Sequence, residues 1–323
     1  MYRTVSLAIS LVAVAFAQHS ALPQCSPSFN GTIGNGTAGS EQQISSTTLR
    51  IINATDADQG VAVDADHFYS IDNFSITKHR KATGQPILQW YGGEDGAIIH
   101  LDGGVVINGT LYAPHSNYPG LPISSSIEMW DVSTMTHVGS HPFGIYRGSL
   151  TWVDQNPVTG VWYGAFANYD RIQTGQTVPY GLTMNTQFVE FTGPPNWEVV
   201  RSWIFPEELY ATFSPMSNSG GSFGPDGWLY ITGHDASAAY VLKIPGAGSV
   251  LIWVATIDLP DIAGQGIAWD RSGGKGKATL YGISRASRQV VEMRVSLQTC
   301  SWMEHVTVGT ILGPGEFVDT SQD

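Results

Sequence analysis

Short apolar runs broken by polar turns fill most of the chain, and one phrase recurs five times. A small or Gly-led apolar stretch ends at Asp or Asn, a second apolar stretch carries a Tyr, and polar residues follow. The copies run Gly60–Asp64 with Tyr69 and Asp72, Gly104–Asn108 with Tyr112 and His115, and Leu150–Asp154 with Tyr163 and Asn168. The last two run Ser222–Asp226 with Tyr230 and His234, and Gly266–Asp270 with Tyr281 and Ser284. Asp64 to Asn108 and Asp226 to Asp270 are each 44 residues apart, Asn108 to Asp154 is 46, and Asp154 to Asp226 is 72. Each copy continues into a third strand that alternates apolar and polar residues, such as Ile127-Glu-Met-Trp130 or Val291-Glu-Met-Arg294. A fourth follows, as in Ile87-Leu-Gln-Trp90 or Leu251-Ile-Trp-Val254, with a weak version at Trp302 to Val306.

A repeat near 45 residues with four short strands predicts the blade of an all-β propeller. Five four-stranded antiparallel blades are expected, and the long 72-residue step reads as insertions. A six-bladed ring would need an irregular blade between 171 and 215. Thr48 to Ile52 is expected to pair into the last blade and close the ring, because an all-β ring must cover its edges. These strand phrases resemble the broad propeller superfamily with NHL, YVTN and SMP-30-like repeats, over about residues 50 to 310. That resemblance implies a scaffold and leaves the activity open, since propellers host many unrelated chemistries.

The N-terminus changes the compartment expected. Arg3, the uncharged run Leu7 to Phe16 and the small-x-small Ala15-Phe-Ala17 read as a signal peptide over 1–17, too short to span a bilayer. A Ser/Gly/Asn-rich tail is expected over 18–44 and a single propeller domain over 45–323. Sequons at Asn30, Asn35, Asn53, Asn73 and Asn108 agree with a secretory route and glycosylation. Cys25 and Cys300 are the two cysteines of the chain, and in an oxidising compartment they are expected to form one disulfide that ties the tail to the last blade. A net charge of −12 argues against nucleic acid as a partner. A secreted monomer acting on carbohydrate or a small molecule, away from membranes, is the expectation.

Turn chemistry divides the two faces of the disc. Asp64, Asn108, Asp154, Asp226 and Asp270 fall at the turn between the first two strands of each blade, where Asp and Asn favour tight turns. The opposite face receives the residues entering the first strand and leaving the second, together with the long loops, and carries the expected site. Pro206-Glu-Glu-Leu-Tyr210 on that face is expected to start a short helix.

Candidate chemistry follows from the residue types there. His115 and His234 occupy equivalent positions in the second and fourth repeats and offer general bases near neutral pH. Tyr146, or else Tyr118 or Tyr169, can donate a proton to a leaving oxygen, and Arg147 and Arg285 can grip a carboxylate with their planar forks. His115, Tyr146, Arg147 and His234 are the expected catalytic set; Gln59, Asn117, Tyr118, Asn168, Tyr169, Asp235, Gln265 and Arg285 are the expected substrate-binding groups. β-Elimination beside a uronic acid needs such parts, and the set looks like the His/Tyr/Arg sites of propeller polysaccharide lyases. Two other readings stay open: a glycan-binding propeller without catalysis, and a lactonase- or cyclase-like hydrolase that uses a metal. His115, His234 and Asp235, or Asp58, Asn168 and Asp235, could hold a Ca or Zn ion in the channel, though no ligand spacing marks a metal site. The polar residues at equivalent positions differ from blade to blade, which favours one asymmetric central site and an enzyme over a lectin with copied pockets.

Overall fold

The computed structural model describes residues 43–145, 147–172, 177, 181–273 and 278–296. The leader, most of the tail, both cysteines, Asn30, Asn35, Tyr146 and Trp302 to Val306 lie outside the described residues. Two strands come first, β1 (Gln43–Ile44) and β2 (Ser46–Asn53). Blade one follows as β3 (Gly60–Val63), β4 (His67–Asp72), β5 (Ser75–Arg80) and β6 (Pro86–Tyr91). Blade two is β7 (Val105–Ile107), β8 (Thr110–Ser116), β9 (Ser125–Asp131) and β10 (Thr136–Gly144). Blade three is β11 (Ser149–Gln155), β12 (Trp162–Ala167), β13 (Gln187–Phe191) and β14 (Val199–Ile204). Helix α1 (Glu207–Phe213) leads to blade four, β15 (Gly220–Phe223), β16 (Leu229–Thr232), β17 (Ala238–Lys243) and β18 (Ile252–Asp258). Blade five is β19 (Ala268–Asp270), β20 (Thr279–Ser284) and β21 (Gln289–Val295), completed by β2 on its outer edge.

Five sheets therefore form a five-bladed propeller, each a four-stranded antiparallel meander from axis to rim. The excess length between the third and fourth repeats is spent on the loop after β12 and on α1, which starts after Pro206 as its sequence predicts. Ring closure is made by β2, antiparallel to β21 with Ile51 opposite Val291 and Arg50 opposite Glu292. Gln43–Ile44, assigned by composition to the end of the tail, adds a parallel fifth strand to β18.

Apolar residues alternate into the spaces between blades, so the core among the described residues is six clusters rather than one. Trp152, Tyr163 and Phe188 of blade three meet Phe223, Ile231 and Tyr240 of blade four, with Leu209 and Phe213 of α1 beneath them. Ala62, Tyr69 and Ile71 meet Leu111, Ala113 and Trp130 between blades one and two. Val61 and Phe68 meet Ala268, Tyr281 and Ile283 between blades five and one, which completes the circle. Aromatic side chains suit these wedge-shaped gaps because each buries a large area against two sheets.

The first-turn carboxylates serve the scaffold. Asp64 accepts the N–H groups of Asp66 and His67 and the Tyr69 hydroxyl, and Asp226 accepts the Trp228 N–H and the Tyr230 hydroxyl. Asn108 takes a φ of 50°, the left-handed position expected of Asn in a tight turn, and Gly109 follows at 80°. Asp154 is buried and binds the Arg271 guanidinium, the Ser222 hydroxyl and the Phe223 N–H, joining three blades.

Candidate active site at the axial mouth

On the opposite face, glycines bring backbone to the axis. A Cβ on Gly60 would lie 2.6 Å from the Gly103 Cα, and one on Gly266 would lie 2.7 Å from the same atom and 2.9 Å from Gly60 Cα. Only glycine permits this approach at the starts of the first strands of blades one, two and five. The residues just before these glycines, Gln59, Asp102 and Gln265, are consequently drawn together and buried at the mouth.

His100 is the hub. Its Nδ1 lies 2.6 Å from Asn73 Oδ1 and its Nε2 4.0 Å from Asp102 Oδ2, and its ring meets the Tyr118 ring at 4.8 Å. Burial, ahead of any neighbouring charge, pushes His100 down to about 3, so its imidazole is neutral. Asp102 is buried with Oδ2 unpaired, and burial raises its carboxyl well above the carboxylate range against the opposing pull of Arg285. Tyr118 is raised by burial first, with Arg171 and Arg285 pulling it back and Asp102 adding to the rise. Tyr118 also packs against Tyr169 at 5.8 Å, and Arg171 reaches the sulfur of Met216 at 3.8 Å. One mouth thus gathers a neutral histidine, a neutral acid, two tyrosines and two arginines.

Arginines on the rim are fixed by acids. Arg285 Nε donates to Asp58 Oδ1 at 3.1 Å, and Arg288 bridges Asp58 at 3.2 Å and Asp72 at 2.7 Å. Gln59 donates to Asn73 Oδ1 at 3.0 Å, linking this ion-pair network to His100. Asp235 accepts from His234 Nδ1 at 2.6 Å, which turns Nε2 into the nitrogen with the lone pair.

Other sequence-predicted residues take different posts. His115 has both nitrogens engaged: Nε2 accepts the Ile99 N–H at 3.2 Å and Nδ1 donates to Ser126 Oγ at 3.0 Å. Ser126 Oγ donates to Glu128 Oε1 at 2.6 Å, and Glu128 Oε2 meets His137 Nε2 at 2.7 Å. Burial lowers His115, so it is a neutral strut whose ring leaves no lone pair for substrate. Arg147 turns to Gln187 at 3.4 Å, toward the third strand of its blade. Asn117 bonds the Pro122 carbonyl and the Ser124 N–H within its own loop. Asn168 donates to the carbonyls of Arg147 and Asn185. Gln265 donates to the His234 carbonyl at 3.3 Å and takes a φ of 64°. Sequence reasoning missed His100, Arg171 and the role of Asn73; the string His100-Leu-Asp-Gly103 directly before a first strand was the available signal.

Among the sequons, Asn53 and Asn108 are exposed, whereas the Asn73 amide donates to Asp58 and Asp72 inside the network. A glycan on Asn73 would have to replace those bonds. Among the described residues no three His, Cys, Asp or Glu side chains converge to hold a metal ion, and no helix is long and apolar enough to cross a membrane. A separate cavity of about 180 Å3 is lined by Ile51, Ser237, Asp261, Ile262 and Gln289, and holds none of the groups above.

The chain is a five-bladed β-propeller. No family model matches it, and no curated protein matches its sequence. Solved structures do: the Myxococcus xanthus glutaminyl cyclase superposes with a TM-score of 0.53 at 12% identity, covering 79% of this chain and 97% of that one. The PQQ-bound aldose sugar dehydrogenase of Streptomyces coelicolor gives 0.45 at 12% identity, covering 78% and 98%. Hydrazine synthase of Kuenenia stuttgartiensis gives 0.41 at 12% identity, covering 83% and 99%. The first of these likenesses supports the fold, and at this identity it carries no substrate with it.

Proposed function

We propose that the axial mouth is the active site of a secreted carbohydrate-active lyase that cleaves beside a uronic acid by β-elimination. The observation that carries the reading is convergence: Tyr118 packs against the His100 ring, Arg285 joins His100 through Asp58 and Asn73, and Gln265 of the same mouth bonds the His234 carbonyl. Arg285 has Nε and Nη2 committed to Asp58, which fixes the plane of its guanidinium and leaves Nη1 as the donor for a substrate carboxylate. Arg171 adds charge from the rim. Neutralising that carboxylate acidifies the neighbouring C–H, and His234 Nε2, oriented by Asp235, takes the proton. The carbon–oxygen bond at the β position then breaks, a C=C bond forms, and the Tyr118 hydroxyl protonates the departing oxygen. Tyr118 is held protonated by burial, as an acid in this role requires. Of the expected catalytic set this reading keeps His234, takes Arg285 rather than Arg147 and Tyr118 rather than Tyr146, and leaves His115 as a strut, since both its nitrogens are engaged.

The test is a panel of uronate-containing glycans scanned for the absorbance of an unsaturated product across pH. The reading expects turnover with at least one of them, lost by about 10²-fold or more in His234→Ala. Glycan binding with no product at any pH would replace the lyase by a lectin.

A further inference from the structure

The separation of Asp102 Oδ2 from His100 Nε2, 4.0 Å, is too long for a hydrogen bond and right for one oxygen held by both. An oxygen about 2.8 Å from each atom subtends about 90° between them, close to the spread of partners around a hydroxyl. The hydrogen positions follow from the neighbours. Asn73 Nδ2 donates to Asp72 Oδ1 at 3.1 Å and Asp58 Oδ2 at 3.4 Å, and its Oδ1 accepts from Gln59 at 3.0 Å. Asn73 therefore presents an acceptor to His100 Nδ1, which must carry the hydrogen, and Nε2 is left with a lone pair. Asp102 Oδ2 is buried and has no partner, a costly state unless something arrives to meet it.

We infer that Asp102 Oδ2 and His100 Nε2 form a two-pronged seat for one hydroxyl group of the ligand, the acid donating to its oxygen and the imidazole accepting its proton. Burial keeps both prongs neutral, which sets the selectivity. A carboxylate cannot donate to Nε2, and an ammonium cannot accept from the acid; a hydroxyl does both. The seat deepens the reading of this mouth as a sugar site, with Arg285 for the carboxylate and the seat for a ring hydroxyl. The hydroxyl could also be that of a resident water, and the experiment separates the two.

Imidazole 15N spectra of the full protein give His100 directly, titrated with glucuronate, methyl glucoside and propionate. The expected result is a neutral His100 protonated at Nδ1, with Nε2 shifted by the two hydroxylated probes and unmoved by propionate. Asp102→Asn, which keeps a donor, should hold glucuronate within about threefold, and Asp102→Ala should lose about tenfold. The seat is overturned if Nε2 carries the hydrogen, if propionate shifts it equally, or if Asn is as weak as Ala. It is equally overturned if no hydroxylated probe moves His100, which would leave water alone between the prongs. The wild-type spectra decide even if a variant fails to fold. Hydroxyl-dependent shifts without any unsaturated product would retain the seat and reject the lyase.

Discussion

His115 Nε2 accepts the backbone N–H of Ile99 at 3.2 Å, so a histidine suited to catalysis by sequence instead docks the segment that carries the chemistry. Flanking backbone bonds, Ser116 N–H to the His100 carbonyl and Asp102 N–H to the Pro114 carbonyl, continue the same short pairing against β8. His100 and Asp102 are thereby held on a strand edge rather than on a loose loop. Replacing His115 by Ala leaves the Ile99 N–H and the Ser126–Glu128 pair short of a partner, and should cost about 1–3 kcal/mol of stability in urea denaturation. His234→Ala, whose partner Asp235 is exposed, should unfold within about 0.5 kcal/mol of wild type.

Asp154 offers the sharpest stability test of the scaffold. It is buried and depends on Arg271 at 3.1 Å for its charge partner. Arg271→Ala strands a buried carboxylate and should destabilise by about 3–5 kcal/mol, measured by denaturant titration. Removing Arg201, whose partner Glu190 it meets from the exposed side, should cost no more than about 1 kcal/mol.

Acid should weaken the fold through buried neutral histidines. His79, His100 and His115 are all lowered by burial, so below about pH 6.5 the unfolded chain binds protons that the folded one refuses. Stability then falls with pH through that window, down to about 3 for His100. Asp102 has the opposite sign: its carboxyl stays protonated in the fold while the unfolded chain releases the proton above about pH 4, so its burial costs stability as pH rises. Asp102→Asn should therefore melt above wild type at pH 8 and converge with it near pH 4. Thermal melts over pH check both signs.

Ring closure depends on one strand. Ile52 of β2 packs against the cluster between blades five and one, and Arg50 pairs with Glu292 at 2.9 Å. Ile52→Asp should open this seam and lower the melting temperature by several degrees, about 2–4 °C for each kcal/mol lost. An unchanged melt would place closure elsewhere.

Blade number, the closing strand and the start of α1 were legible because each follows from local pattern. Glycine and apolar periodicity set the strands, and Pro206 followed by two glutamates set the helix start. Turn carboxylates such as Asp64 and Asp226 were legible for the same reason. The site was only half legible. His234, Tyr118, Tyr169 and Arg285 fall where their repeat positions put them, because strand ends fix which face a residue occupies. Side-chain direction is a different matter: Arg147 enters the same face but swings to Gln187, and His115 spends both nitrogens on its neighbours. His100 and Asn73 escaped notice because their roles arise from contact between blades, with Gln59 and Asp58 as intermediaries, and no spacing in the chain records that contact.

The most direct test of the central claim is ligand mapping by NMR on labelled protein with a uronate-containing oligosaccharide. The account predicts shifts centred on His100, His234 and the Arg285 guanidinium, with the histidines His67 and His79 on the far side of blade one unmoved. Saturable binding that leaves His100 and His234 unmoved, and perturbs instead the cavity lined by Ser237, Asp261 and Gln289, would contradict it.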